Sequence, residues 1–101
     1  MSLAKAVVVG VGAEDGLGAA LSRCYAANDR HVLVAGRTRA KVEQVAASIR
    51  RDGGSATAYA VDATQEKEVI RLFDAAMTRD ELGSPADLVT CNVGKIGRAH
   101  V

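Results

Sequence analysis

The fold of this chain is decided by a stretch near its start, Val-Val-Val-Gly-Val-Gly-Ala-Glu-Asp-Gly-Leu-Gly-Ala-Ala-Leu at residues 7–21. It opens with an uncharged run of β-branched residues, which is typical of a strand buried on both faces. Leu17, Leu21 and the apolar residues after them recur at helical spacing. Glycines fill the turn between the two patterns. The sequence therefore predicts a buried strand, a glycine turn and an amphipathic helix in direct succession.

The same alternation continues along the chain. Apolar, β-branched or alanine-rich runs predict further strands over 31–35, 56–61 and 87–92, with the Gly-Ser-Pro run at 83–85 breaking the chain before the last one. Two later helices are predicted by apolar residues at helical spacing, which are Val42, Val45 and Ile49 in one and Val69, Ile70, Phe73, Ala76 and Met77 in the other. Thr64 is expected to cap the latter helix. Because crossovers between parallel strands are right-handed, this alternation predicts a parallel sheet with helices on both faces.

The bulk properties of the chain limit its class and its partners. With 101 residues it makes one small domain at most, and a formal net charge of +1 gives no basic excess for nucleic acid or a membrane surface. No apolar run approaches the roughly 18–20 residues of a membrane span. The start leads into a strand rather than a secretory signal, so we expect a cytoplasmic protein. Cys24 and Cys91 are accordingly expected to be buried, reduced thiols, and no metal-ligand spacing is present.

The glycines of the first turn have one well-understood chemical use. A helix start presents unpaired backbone N–H groups and a partial positive charge, and a phosphate reaches them only where no side-chain carbon intervenes. Gly12 is expected to let the strand turn out of the sheet, Gly16 to admit a pyrophosphate and Gly18 to let the helix pack closely. A purely structural tight turn is the alternative. The strand–helix units that follow favour dinucleotide binding instead.

The end of the second strand indicates which dinucleotide is bound. Where the ligand is NAD, an acidic residue at this place usually holds the ribose 2′-hydroxyl. This chain has Ala-Gly-Arg-Thr at residues 35–38, and Arg37 offers a planar cation suited to a 2′-phosphate, unless it is simply a solvated surface arginine. Thr38 adds a hydroxyl, although it is also a candidate cap of the next helix. We therefore predict NADP(H), although Asp15 in the glycine turn would repel a nearby phosphate unless it points away.

Two of these segments resemble the short-chain dehydrogenase/reductase family, and the resemblance runs over residues 5–94. The stretch from Gly12 to Gly18 is similar to the family's Thr-Gly-x-x-x-Gly-x-Gly element, with Val11 where threonine is usual. The Ala-Gly-Arg-Thr run resembles the second-strand end of the family's NADP-using members.

Two later segments carry the same resemblance. Val-Asp-Ala-Thr at 61–64 is similar to the family's Asp-Val-Thr, whose aspartate binds the adenine amino group, and this role is carried to Asp62; a helix cap or turn former is the alternative. Leu-Val-Thr-Cys-Asn-Val-Gly at 88–94 resembles Leu-Val-Asn-Asn-Ala-Gly, which lies against the adenosine ribose. Here Cys91 and Val93 depart from the family pattern. Four such elements in order make the resemblance specific.

The resemblance implies a fold, a cofactor and a set of binding residues. The implied fold is of the α/β class: a Rossmann-like, doubly wound parallel sheet, present in part, with about four strands in the order 3-2-1-4 and three helices. The implied cofactor is NADP, with NAD less favoured, and the implied partners are a small-molecule carbonyl or alcohol substrate and further copies of the parent protein. The cofactor-binding residues expected here are Gly12, Asp15, Gly16, Leu17, Gly18, Arg37, Thr38, Asp62, Ala63, Asn92, Val93 and Gly94.

The family's catalytic serine and Tyr-x-x-x-Lys pair have no match in this sequence. Tyr25 and Tyr59 are its tyrosines, and Asp29 and Ala63 stand four positions after them. We expect both tyrosines to be packing residues and assign no catalytic residue. The leading interpretation is the cofactor-binding half of an NADP(H)-dependent oxidoreductase that interconverts a carbonyl and an alcohol, the half alone being inactive. A non-catalytic dinucleotide-binding sensor is the alternative. A methyltransferase is disfavoured, because this class of enzyme normally carries an acidic residue at the end of the second strand, where this chain has Arg37.

The C-terminal residues are expected to differ in origin from the rest. Residues 1–95 are predicted to form the NAD(P)-binding unit. Ile-Gly-Arg-Ala-His-Val at 96–101 matches one reading frame of a common sequencing adapter and is expected to be a non-native tail, a natural C-terminus being the alternative. With no fifth strand beside it, the strand at 87–92 is expected to expose an apolar edge, and the chain to be marginally stable and prone to aggregate.

Overall fold

The computed structural model describes residues 4–11, 16–62, 64–78 and 84–91, in which strands and helices alternate throughout. The elements in chain order are β1 (Ala4–Val9), α1 (Leu17–Ala27), β2 (His31–Gly36), α2 (Arg39–Arg51), β3 (Ser55–Ala60), α3 (Glu66–Met77) and β4 (Ser84–Cys91). The strands form one parallel sheet in the order β3-β2-β1-β4. The predicted partial Rossmann-like sheet with strand order 3-2-1-4 and three helices is confirmed.

Each face of the sheet carries its own apolar core. Successive residues of a strand point to opposite faces, and β1 and β2 are apolar at both sets of positions. Val8 and Val34 pack with residues of α1 and α2 on one face, whereas Val7 and Leu33 pack with residues of α3 on the other. Among the described residues, two helices therefore cover one face and one helix covers the opposite face. None of these helices has the length and apolar character that crossing a bilayer requires.

Helix α2 ends in a hydrogen-bonded glycine turn. The N–H of Gly54 donates to the carbonyl of Ile49 at 2.9 Å, and that of Gly53 donates to the carbonyl of Arg50 at 3.0 Å. These are the paired bonds of a Schellman motif, and the φ of Gly53, 90°, is one that glycine adopts without strain. Asp29 occupies the corresponding position after α1 with a φ of 62°, which is uncommon for a residue with a side chain.

A buried lysine joins the first strand to the last helix. Lys5 is 1% exposed, and its Nζ donates to the carbonyls of Ala75 and Thr78 at 2.9 and 2.6 Å. Both carbonyls lie at the C-terminal end of α3, where backbone C=O groups lack intrahelical partners and the helix dipole is negative. These hydrogen bonds compensate for the burial of the ammonium, and the ammonium in turn caps the helix.

The last strand begins earlier than the sequence predicts. The Gly-Ser-Pro run at 83–85 is expected to break the chain before a strand over 87–92, yet β4 starts at Ser84 and includes Pro85. Proline is tolerated there because β4 is an edge strand of the described sheet, and the register with β1 passes from Ser84 to Ala86 without pairing it. The register also skips Asp87, whose carboxylate accepts two hydrogen bonds, of 2.9 and 3.1 Å, from the side chain of Arg30.

The predicted packing of the two tyrosines is confirmed, whereas the predicted burial of a cysteine on α1 is contradicted. Tyr25 and Tyr59 both pack against the core as predicted, and the Tyr25 hydroxyl shares a 2.8 Å hydrogen bond with Thr90 Oγ1. Cys24 is exposed, so its predicted burial is wrong. The helix is rich in small residues, which leaves its apolar periodicity ambiguous, and the face it buries includes Ser22 instead. The side chain of Cys91 lies outside the described part of the chain.

Candidate nucleotide-binding site

The carboxyl ends of the strands meet at one edge of the sheet. In a parallel sheet all strands point the same way, so the residues after β1, β2 and β3 lie side by side. The residues that follow these strands are Gly10 and Val11, Arg37 and Thr38, and Val61 and Asp62. This edge is where open α/β sheets bind their ligands.

The segment after β1 turns sharply and is held by the end of β2. Gly10 has a φ of 91°, a left-handed conformation that favours glycine. The carbonyl of Ala35 then accepts hydrogen bonds from the N–H groups of both Gly10 and Val11, each at 2.9 Å. The strand therefore leaves the sheet at Gly10. Gly12, to which the sequence assigns this turn, lies outside the described residues.

Gly36 ends β2 beneath this turn, and the structure explains why it lacks a side chain. A Cβ atom built there would lie 2.1 Å from the carbonyl oxygen of Val11 and 3.0 Å from Cγ1 of Val42. The carbonyl of Gly36 also accepts a 2.8 Å hydrogen bond from the N–H of Val61. Gly36 thus touches the turn after β1, helix α2 and the segment after β3. Neither Gly10 nor Gly36 is among the residues that the sequence singles out, although each directly follows or ends a buried apolar run.

The start of α1 leaves its backbone donors without a side-chain cap. Gly16 is the N-cap residue, with extended backbone angles and no side-chain cap hydrogen bond, and no acidic residue stands in the first turn. Gly18 is buried, and its carbonyl accepts a 2.8 Å hydrogen bond from Ser22 Oγ. Leu17 begins the helix. An uncapped helix start of this kind fits a phosphate or another anion.

Arg37 and Thr38 are both exposed between β2 and α2. Thr38 is the N-cap residue of α2, which confirms its predicted position, but its hydroxyl makes no capping hydrogen bond. The first turn of α2 holds no acidic residue either. The guanidinium and a hydroxyl not engaged in capping therefore lie beside a second helix start, an arrangement that favours an anion at this point.

Asp62 follows β3 as a turn-forming residue whose charge is stabilised. Its Oδ1 accepts hydrogen bonds from the hydroxyl and the N–H of Thr64 at 2.7 and 2.9 Å, and its own N–H donates to Oε1 of Glu68 at 2.8 Å. The bonds from Thr64 lower the pKa of the Asp62 carboxyl, and the positive charge of Arg37 lowers it further. Asp62 therefore forms a turn, which is one of the alternatives that the sequence leaves open for it, and its carboxylate is ionised at neutral pH.

Thr64 does not cap α3, so that prediction is wrong. The N-cap residue is Gln65, which makes no side-chain cap hydrogen bond. The reason is the turn at Asp62, which engages both the hydroxyl and the N–H of Thr64. Acidic residues in the first turn, Glu66 and Glu68, provide the favourable charge at this helix start.

Several predicted binding residues lie outside the described part of the chain. These are Gly12, Asp15, Ala63, Asn92, Val93 and Gly94. The described set that the fold brings to one edge comprises the start of α1 at Gly16, the pair Arg37 and Thr38, and Asp62. No group of three or more His, Cys, Asp or Glu side chains in the described ranges is arranged to hold a metal ion. The fold and this edge define an α/β protein whose described strand ends bring together a helix start, a cation and a carboxylate, at the edge where open α/β sheets generally bind ligands.

Comparison with known proteins identifies the family. The chain matches the short chain dehydrogenase family over residues 5–100. It is similar to the solved structure of a hydroxysteroid dehydrogenase from Escherichia coli, with 30% identity and a TM-score of 0.79 over 92% of this chain and 37% of that one. It is also similar to a short-chain dehydrogenase from Rhodopseudomonas palustris, with 30% identity and a TM-score of 0.78 over 96% of this chain and 41% of that one. No protein of curated function matches it.

The chain belongs to the short-chain dehydrogenase family, which is a family of oxidoreductases. It spans about two-fifths of the length of these two solved structures. Members of the family generally use NAD or NADP and act on small molecules, and the strand order of this chain matches theirs.

Proposed function

We propose that the carboxyl edge of this sheet binds NADP(H), and that the protein is an NADP(H)-dependent oxidoreductase that interconverts a carbonyl and an alcohol. The observation that carries the proposal is the placement of the uncapped start of α1, the cation of Arg37 and the carboxylate of Asp62 along one edge. The three features match the three polar parts of the adenosine half of the cofactor: its diphosphate, its 2′-phosphate and its adenine.

The diphosphate is assigned to the start of α1. Gly16, the N-cap residue, has no side chain, so no side-chain cap from that residue competes with an anion for the backbone N–H groups of the first turn. No carboxylate within that turn opposes the negative charge of the ligand. The glycine element of the family, which residues 12–18 resemble in sequence, leads into the same helix start, and open α/β sheets of this kind bind a pyrophosphate there.

The 2′-phosphate is assigned to Arg37, with Thr38 as a second donor. A guanidinium makes two parallel charge-assisted hydrogen bonds to a phosphate, and no carboxylate is paired with Arg37 by an ion pair among the described residues. Hydrogen bonds from Thr64 to Oδ1 stabilise the ionised carboxylate of Asp62. Its other oxygen, Oδ2, is able to accept a hydrogen bond from the adenine amino group. The bound cofactor supplies the hydride, and the residues described here bind and orient it.

The proposal is tested by the cofactor preference of the full chain. Isothermal titration of NADP⁺ and NAD⁺ is expected to show tighter binding of NADP⁺. Replacing Arg37 with Glu removes charge-assisted hydrogen bonds worth about 1.5–3 kcal/mol and introduces repulsion, so the NADP⁺ affinity is expected to fall by at least about tenfold. NAD⁺ affinity is expected to change little.

The matched control is Arg51→Glu. Arg51 is exposed like Arg37, and it lies at the C-terminal end of α2, far from the carboxyl edge. The Arg51→Glu variant makes the same change of charge as Arg37→Glu, and it is expected to leave the NADP⁺ and NAD⁺ affinities unaltered. Equal binding of NADP⁺ and NAD⁺ in the unmodified chain, or an equal loss of NADP⁺ affinity in both variants, would show that Arg37 does not read a 2′-phosphate.

A further inference from the structure

We propose that Gly10 and Gly36 act as a pair of positioning residues that set where the turn after β1 begins, and hence where the diphosphate site stands relative to Arg37 and Asp62. This inference rests on the proposed function of the carboxyl edge. Each glycine supplies a different half of the contact. Gly10 supplies the backbone angle that directs the chain over the end of β2, and Gly36 supplies the space into which the chain is directed.

The need for glycine at position 36 is steric rather than conformational. Gly36 lies within β2 with a φ that any residue adopts, so the backbone itself does not require glycine. The requirement comes from the carbonyl oxygen of Val11, which occupies the place of a Cβ at a distance of 2.1 Å. Real Cβ atoms essentially never approach a neighbour more closely than 3.0 Å, so a methyl group at position 36 forces this carbonyl back by about 1 Å.

The neighbouring contacts leave the turn as the part that moves. Val11 is 2% exposed and belongs to the core between the sheet, α1 and α2. The end of β2 is fixed on its other side, because the carbonyl of Gly36 is bonded to the N–H of Val61 and Val42 packs 3.0 Å from the Cβ position. A displacement therefore falls on the Val11 carbonyl and shifts it relative to the end of β2. Arg37 and Asp62, which lie on the fixed side, keep their relation to each other.

The consequence is a separation between two parts of nucleotide binding. In catalysis, which depends on exact geometry in the same way, a misplacement of about 1 Å costs up to about a hundredfold. We expect Gly36→Ala to weaken NADP⁺ binding at least tenfold, because NADP⁺ spans the diphosphate site. Adenosine 2′-monophosphate needs only the Arg37 and Asp62 side, so its affinity is expected to change less than threefold.

The same contact is tested from its other side by Gly10→Ala. Alanine does not adopt the φ of 91° without strain, so the turn relaxes and the Val11 carbonyl leaves the space above Gly36. This variant is expected to show the same loss of NADP⁺ affinity with adenosine 2′-monophosphate binding retained. It also keeps the inference testable if Gly36→Ala does not fold, as judged by circular dichroism.

The double variant supplies the sharpest readout. Once Gly10→Ala has moved the turn, a methyl group at position 36 no longer meets the Val11 carbonyl. The double variant Gly10→Ala/Gly36→Ala is therefore expected to have an NADP⁺ affinity no lower than that of the single variant with the lower affinity. Gly53→Ala is the control, because Gly53 has nearly the same φ, 90°, with no atom within 4 Å of its Cβ position, and lies at the other end of α2. It is expected to lower the melting temperature and leave both affinities unchanged.

The outcomes separate this inference from the proposed function. If the unmodified chain binds neither nucleotide, the proposed function and this inference both fall. Three results would show that the glycine pair has no positioning role while the proposed function stands, provided that the unmodified chain binds NADP⁺. The single variants bind NADP⁺ as tightly as the unmodified chain, they lose affinity for NADP⁺ and adenosine 2′-monophosphate to the same extent, or the double variant loses NADP⁺ affinity by the product of the two single losses.

Discussion

The contact between Lys5 and the end of α3 predicts a large loss of stability on replacement of the lysine by methionine. Methionine has a similar length and keeps the apolar stem buried, so the substitution removes the ammonium with little change of volume. The carbonyls of Ala75 and Thr78 then lose donors at 2.9 and 2.6 Å. They remain in a place where the lysine side chain is 1% exposed, which limits their access to water.

The size of the effect follows from the two carbonyls. A buried polar group left without a partner costs about 1–3 kcal/mol, so two such groups cost about 2–6 kcal/mol. Part of this is recovered, because the variant no longer buries a charge on folding. Part is also recovered where water reaches the frayed end of the helix. We therefore expect Lys5→Met to lower the free energy of unfolding by about 2–3 kcal/mol, a large share of the 5–15 kcal/mol typical of a domain.

Urea unfolding followed by circular dichroism measures this change directly. The midpoint is expected to fall while the slope of free energy against urea stays constant, because the surface exposed on unfolding is unaltered. Lys41→Met is the control, since Lys41 is exposed on α2 and its replacement should stay within about 0.5 kcal/mol of the unmodified chain. A Lys5→Met loss no larger than that of the control would refute the capping role.

Three further predictions concern the surface. Asp29→Gly is expected to raise the unfolding free energy by about 0.5 kcal/mol and the melting temperature by about 2–4 °C, because glycine adopts the φ of 62° freely; calorimetry checks this, and an unchanged or lower melting temperature contradicts it. The Arg30 side chain lowers the pKa of the Asp87 carboxyl. The stability that Asp87 contributes is therefore present above its unfolded pKa, near 3.9, and is lost as pH falls through the lower folded value. Unfolding curves of the unmodified chain and Asp87→Asn should accordingly differ slightly at pH 7 and converge toward pH 3, and a gap that widens on acidification excludes the idea. Val89→Thr is expected to delay aggregation measured by light scattering, because Val89 is 41% exposed on the edge strand β4; an unaltered onset would place the sticky surface elsewhere.

The parts of the fold that the sequence predicts well are those in which one physical signal dominates. The runs at Val7 and Val32 are apolar on both faces, and only a strand covered by helices on both sides buries such a run. The Asp-Gly-Gly stop after α2 likewise specifies its turn, because glycine is the residue that takes the left-handed position. The order 3-2-1-4 then follows from the family resemblance and the handedness of the crossovers.

The errors arise where a local pattern has two physical readings. Cys24 falls at helical spacing with apolar residues, but α1 has few large apolar side chains, so its sequence does not single out the face that is buried. Thr64 has the chemistry of a cap, yet the carboxylate of Asp62 two positions earlier competes for it and wins. Tertiary packing decides the first case, whereas a local turn decides the second, where two short-range hydrogen-bonding patterns compete for the same threonine.

The site is predictable at the level of residue type and not at the level of contact. Arg37, Asp62 and Gly16 stand out because each is a polar residue or a glycine placed directly after a strand or before a helix. The contact between Gly36 and Val11 joins residues 25 positions apart through a bare backbone carbonyl. Nothing in composition or periodicity reports on such a contact, so the sequence offers only the fact that a glycine ends β2.

The unequal covering of the two sheet faces has a consequence for the order in which the protein is built during translation. Among the described residues, the core beneath α1 and α2 draws its members from residues 8–58. The core on the opposite face requires Leu72 and Ala76 of α3 and Ala86 of β4. In a chain that emerges from the ribosome, the described members of the first core are therefore synthesised before those of the second, and Leu33 lacks its partners on α3 until that helix has been made.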